Sequence, residues 1–123
     1  MSYHVEDYAV VFANGQRHHF HDLISQVVEF KDVLVLRLGA DSLHRTNRNV
    51  FAFDYHGNLL WQIPERRHFN EHSPYVSLHV TGEMIDAYNW DGLILTLHPR
   101  KGTVVSEGNV SSGLSLRSAK SYF

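Results

Sequence analysis

The sequence contains no cysteine. That excludes a disulfide framework, a thiolate zinc site and a cysteine nucleophile. Long apolar runs are missing too. None approaches the roughly 20 residues a membrane helix needs, so no membrane partner is expected. The first residues, Met1 to Asp7, are polar and acidic. They lack the basic start and apolar stretch of a secretory signal, and the expected location is cytoplasmic. Basic excess is also absent: 11 Lys and Arg stand against 13 Asp and Glu, a formal net charge of −2. The adjacent basic pairs are Arg66-Arg67 and Arg100-Lys101. Nucleic-acid binders carry a basic stripe or patch, so nucleic acid is not an expected partner. Finally, no segment keeps a helical apolar period over ten residues. The apolar stretch 25–35 is rich in valine, which favours strand over helix.

What is present fits one globular β domain. The chain has 123 residues, 43% of them hydrophobic and 20% charged. That is one ordinary domain, large enough to hold a core unaided. Ten histidines are unusual; protonating all of them would carry the net charge from −2 to +8 (−2 + 10).

Strand signals recur along the chain. Tyr8 to Ala13 is β-rich, and Asn14-Gly15 behind it is a strong hairpin signal, because a two-residue turn needs positive φ at both positions. Arg17 to Phe20 is the expected return strand. Gln26 to Phe30 and Val33 to Leu38 flank a Lys31-Asp32 turn. Gly39 to Arg48 reads as a loop. Asn49 to Tyr55 and Asn58 to Ile63 form a hairpin around His56-Gly57, and Pro64 stops it. The segment 65–74 is a polar connection. In Tyr75 to Val80 the alternation places Tyr75, Ser77 and His79 on one face and Val76, Leu78 and Val80 on the other. Met84 to Trp90 and Leu93 to Leu97 flank Asp91-Gly92. Thr103 to Val105 is a short last strand. Residues 106–123 hold six serines and read as a flexible tail, with the domain over 1–105.

The most specific feature is an internal repeat. Residues 52–61, Ala-Phe-Asp-Tyr-His-Gly-Asn-Leu-Leu-Trp, align with residues 87–96, Ala-Tyr-Asn-Trp-Asp-Gly-Leu-Ile-Leu-Thr, at a constant offset of 35 (87 − 52). Each unit has a small residue, an aromatic, an Asp or Asn, a second aromatic, a glycine turn and an apolar strand.

Ala52-Phe53-Asp54, Gly57 and Leu60-Trp61 resemble one blade of a quinoprotein-type β-propeller. Ala87 to Gly92, followed by His98-Pro99-Arg100-Lys101-Gly102, is similar to the end of another blade, with His98 where those repeats place an aspartate. The resemblance implies blade-like units at about 33–63 and 75–105. A closed propeller needs about four to eight four-stranded blades, more than this chain can supply. No cofactor is therefore carried over. The expected fold is all-β: an antiparallel meander of blade-like hairpins packed as a sandwich or open barrel, not a closed propeller.

Chemistry-bearing residues give several candidates. His19 and His21 share a strand face at a spacing metals use, which raises a small His-dependent metal-binding protein or hydrolase as the alternative function. No third ligand is placed by the sequence, and a solvated strand beside a hairpin turn is the plainer account of the pair. His68 and His72 lack the glutamate spacing of a metalloprotease. No Gly-x-Ser-x-Gly elbow or phosphate-binding glycine loop is present, which lowers the expectation of an enzyme without removing it. Tyr55 and Trp90, the second aromatic of each unit, stand beside glycine turns, where full burial is hard; with Tyr88 they belong to the paired aromatic set, and exposed Trp and Tyr are common binding hot spots. With Asp91, Arg66 and Arg67 as a polar rim they make the candidate partner-binding set; core packing is the plainer role for the same aromatics. The expected function is a non-catalytic protein-interaction module. Its concrete form is an immunity-type protein that blocks a toxin domain. Self-association through edge strands is a third expectation.

Overall fold

The computed structural model describes residues 2–39, 46–66 and 72–110. Eleven strands run in order through the described residues. β1 (Tyr3–Glu6), β2 (Ala9–Phe12) and β3 (Arg17–His19) form the first sheet, in the order β1-β2-β3. β4 (Ile24–Phe30), β5 (Val33–Leu38), β6 (Val50–Phe53) and β7 (Leu59–Gln62) form the second, in the order β4-β5-β6-β7. β8 (Tyr75–Thr81), β9 (Met84–Asn89), β10 (Leu93–Leu97) and β11 (Val104–Asn109) form the third, in the order β11-β10-β9-β8. Every pairing is antiparallel between neighbours in the chain. The fold is thus an all-β antiparallel meander packed sheet on sheet, and the described strands do not close into a ring.

The apolar run of β5 explains the layering. Val33 and Val35 join a core with Trp61, Leu78, Ile85 and Leu95 of the second and third sheets. Leu34, Leu36 and Leu38 join another core with Val10 and Phe12 of the first sheet and with Phe20, which follows β3. Side chains alternate along a strand, so one uninterrupted apolar run fills both faces. The second sheet is therefore the middle layer. Each fully buried large side chain in these cores contributes about 1.5–3 kcal/mol.

Side chains tie the layers together. Asn49, buried just ahead of β6, donates to Leu38 O (3.0 Å) and Tyr75 O (2.9 Å) and accepts from the Tyr75 N–H (2.8 Å). Gln26 of β4 donates to Leu78 O (2.8 Å) and accepts from the Leu78 N–H (2.9 Å). Trp61 of β7 donates its Nε1–H to Pro99 O (2.7 Å) in the turn between β10 and β11. Near the other end, Lys31 pairs with Glu83.

Several expectations change in detail. The hairpins at Asn14, Asp54 and Asn89 are three-residue loops, not two-residue turns. Gly15, Gly57 and Gly92 alone take positive φ there (91°, 89° and 96°). The glycine N–H bonds back to Phe12 O, Asp54 O and Asn89 O, the geometry of a type I turn followed by a left-handed glycine. Asn or Asp makes this work locally. Asp54 Oδ1 accepts from the His56 and Asn58 N–H groups (2.9 and 3.0 Å), and Asn89 Oδ1 from the Asp91 N–H (3.0 Å). A bulge between Tyr75 and Ser77 shifts the phase of β8. Tyr75 is consequently buried with Leu78, and Val76 is exposed. Tyr3–Glu6, read from sequence as a polar terminus, pairs with β2. β11 runs to Asn109, so residues 106–109, expected in the tail, belong to the third sheet. The rest of that tail, 111–123, lies outside the described residues. The unit expected over 33–63 covers three of the four strands of the middle sheet, and β4 supplies the fourth.

Candidate interaction site

Trp90 follows β9 directly. Along β9, Ile85, Ala87 and Asn89 are buried, while Met84, Asp86 and Tyr88 face outward. The turn behind them is braced on several sides. The Trp90 N–H bonds to Pro74 O (2.9 Å) and the Gly92 N–H to Asn89 O (3.0 Å). Asn89 Nδ2 bonds to Ser73 O (2.8 Å), and the Ser73 hydroxyl donates to Asn89 Oδ1. Asp91 Oδ1 accepts from the Leu93 N–H (3.0 Å). On this rigid support the Trp90 side chain is 66% exposed, the most exposed large hydrophobic residue described.

Its surroundings are mixed. Tyr88 is half-buried on the outer face, its ring edge-on to His79 with centroids 5.0 Å apart. A row crosses that face from Ser77 through Tyr88 and Ile94 to Gly108. On the core side, Arg66 Nη1 bonds to Glu65 O (3.0 Å), and Arg66 Nε lies 3.6 Å from Glu107 Oε2. Tyr75, opposite Asn89 in the β8–β9 pair, is 1% exposed. Burial foremost, with the Asp91 and Glu107 carboxylates adding to it, pushes the Tyr75 hydroxyl from 10.0 up to about 12. Tyr55 is raised too, by burial and then by its bond to Glu29.

These tyrosines imply a loss of stability in alkali. An unfolded tyrosine ionises near pH 10, while the folded Tyr75 keeps its proton. The stabilisation is thus fully present below pH 10 and is lost as pH rises toward 12. Urea melts at pH 9 and 11.5 should differ by about 2 kcal/mol from this group, and Tyr75→Phe should shrink the total difference by about that amount.

The structure separates the expected site residues. Tyr88, Trp90 and Asp91 are close together at the end of β9 and in the turn behind it, with Tyr88 on the outer face, whereas Arg66 meets Glu107 on the core-facing side of the same sheet. Tyr55 does not join them. It is only 7% exposed, and its hydroxyl donates to Glu29 Oε2 (2.9 Å). It also lies at the opposite end of the stack. The β9–β10 turn abuts Pro74, beside the strand start that Asn49 anchors to the start of β6. Tyr55 follows the other end of β6. Arg67 lies outside the described residues. His19 ends β3 and stacks on Tyr8 with centroids 6.4 Å apart, while His21 lies beyond the strand. Among the described residues no three His, Asp or Glu side chains group as metal ligands would. His68 is outside them.

A separate cleft of about 320 Å³ opens at the Lys31 end, between turns of the second and third sheets. Phe30, Val33, Met84 and Pro99 line it, and the Lys31–Glu83 pair stands at its edge. Lys31 holds a φ of 58°, where a glycine would be unstrained.

Asn49, Gln26 and Tyr75 were not among the residues singled out from sequence. Their partners are 26 and 52 positions away, and no local pattern marks them.

Among the described residues no helix is long and apolar enough to cross a membrane. No curated protein matches the chain. A family described as Domain of unknown function (DUF7957) matches residues 2–109, nearly the whole described structure, and the chain belongs to that family.

Proposed function

We propose that this domain is a non-catalytic protein-binding module whose contact surface is centred on Trp90. The observation that carries the reading is the exposure of Trp90, 66% on a turn whose Trp90 N–H bonds to Pro74 O and whose Asp91 N–H bonds to Asn89 Oδ1, with the Asn89 side chain itself tied to Ser73 O. A large aromatic left in water on a rigid support is what a binding hot spot needs, because little ordering entropy remains to be lost. Tyr88 extends the apolar area on the outer face, and Asp91 supplies the polar rim; Arg66 is engaged with Glu107 on the other face. The narrower form is an immunity-type protein whose partner is a toxin domain, with this corner laid against it. The metal-dependent alternative gains no support from His19 and His21.

The test compares two baits. Wild-type protein and Trp90→Ala are immobilised at equal density and exposed to native lysate. Wild type should retain a partner in near-stoichiometric amount. Trp90→Ala should weaken that binding by about 2 kcal/mol or more, roughly thirtyfold. Its own thermal midpoint should barely move, since exposed substitutions stay within about 0.5 kcal/mol. Equal retention by both baits would refute the Trp90 surface, and no stoichiometric partner for wild type would count against the module itself.

A further inference from the structure

The two ends of the stack differ. Gly39 follows β5, His72 precedes Pro74, and Val110 bonds to Gly92 O, so the described residues that border 40–45, 67–71 and 111–123 gather at the Trp90 end. At the other end the chain is described without a break through Lys31-Asp32, Gly82-Glu83 and 98–102. Those turns surround the cleft of about 320 Å³. Its walls are apolar: Phe30 and Val33 on the middle sheet, Met84 of β9, and Pro99 in the turn before β11. A hollow of this size with apolar walls and a few polar groups is the usual form of a small-ligand site. A phenyl ring on one wall and a thioether on the other suit an aromatic guest.

The polar groups around it sort by what already holds them. Lys31 and Glu83 pair with each other across the sheets. Glu29 accepts from the Tyr55 hydroxyl (2.9 Å), and Asp54 accepts from the N–H groups of its own turn. His98 lines the cleft, and its Nδ1 accepts from the Arg100 and Lys101 N–H groups (3.3 and 3.2 Å). The ring therefore carries its proton on Nε2 and adds a neutral donor to the cleft. Two charges remain. Asp32 and Arg100 line both this cleft and an adjoining hollow of about 450 Å³. Among the described residues, no hydrogen bond or ion pair engages either side chain.

We propose that this cleft binds a free α-amino acid with an aromatic side chain. The ring lies among Phe30, Val33, Met84 and Pro99. The ammonium group meets Asp32 and the carboxylate meets Arg100, with the His98 Nε2–H as a further donor. Charge selects the class. An amine alone would leave Arg100 unmatched, an acid alone would leave Asp32 unmatched, and the interior of a peptide backbone carries neither charge. The site is independent of the Trp90 surface, which lies at the opposite end, so either reading can fail without the other.

The test titrates the ¹⁵N-labelled full chain with L-phenylalanine. The amides of Asp32, Glu83 and Arg100 should shift along one binding curve, with the Trp90 amide unmoved. Phenethylamine lacks the carboxylate, and 3-phenylpropionate lacks the ammonium group. Each should bind about fivefold more weakly or worse, the loss of one charged contact at a solvated rim. Arg100→Gln should weaken phenylalanine to the same extent and leave phenethylamine unchanged. Asp32→Asn should weaken phenylalanine likewise and leave 3-phenylpropionate unchanged. Both side chains are exposed, so the two variants should melt with wild type. Three results would overturn the proposal. The first is no shift around the cleft at millimolar phenylalanine. The second is phenethylamine or 3-phenylpropionate matching phenylalanine, which would leave a simple cation or anion site. The third is binding of phenylalanine that both variants leave unchanged, which would place the amino acid elsewhere.

Discussion

Trp61→Ala should lower the free energy of unfolding by about 4 kcal/mol, in the range for truncating a buried indole. Trp61 lies in the core between the second and third sheets. Its Nε1–H bonds to Pro99 O at 2.7 Å. Its ring lies against Gly102, where a Cβ would fall 2.4 Å from a ring carbon. Gly102 also holds a φ of 71°, so glycine is required there on two counts. The indole therefore fills the space between two sheets and bonds to the turn that starts β11. Alanine would open a cavity and leave Pro99 O without its donor. Urea unfolding should show a lower midpoint with an unchanged slope, the mark of a stability change alone. Trp61→Phe, which keeps much of the volume and loses the N–H, should lie between wild type and alanine. An alanine variant within 1 kcal/mol of wild type would mean the two sheets do not depend on this contact.

Asn49→Asp should be comparably damaging, at about 3–5 kcal/mol near neutral pH, as for an uncompensated buried charge. The side chain is 1% exposed, and its Nδ2 serves both Leu38 O and Tyr75 O. An aspartate would set an oxygen against two carbonyl oxygens without a donor. The sign with pH follows. The folded state would prefer the protonated acid, which can donate to one of the carbonyls, so the folded pKa is raised. Stability is then retained below the unfolded carboxylate value and lost as pH rises through the folded one. The difference between Asn49→Asp and wild type should therefore shrink from pH 8 to pH 4.5. A difference constant across that range would contradict the buried placement of Asn49.

The sequence carried the strands well and their assembly poorly. Alternation in Met84–Asn89 and the glycines at 15, 57 and 92 mark local structure that depends on neighbours. The turn type was misjudged because Asn14, Asp54 and Asn89 use their side chains to cap the loop, which leaves glycine alone to take positive φ. The phase of Tyr75 was misjudged because one bulged residue inverts a strand's faces. The repeat at offset 35 pairs Tyr55 with Trp90 in sequence, yet they lie at opposite ends. β6 corresponds to β9, three strands later, and each step of an antiparallel meander reverses direction. A true local likeness thus gave a false spatial one. Asn49, Gln26 and Trp61 act across layers, on partners set by the packing of whole sheets.

The most direct test of the binding account is hydrogen exchange of the wild-type protein, alone and with the partner retained on the wild-type bait. The account predicts new protection in the β9–β10 turn around Trp90, with the turns at Lys31-Asp32 and His98–Gly102 unchanged. Protection confined to those latter turns, with Trp90 exchanging as before, would place the partner at the opposite end of the stack and contradict it.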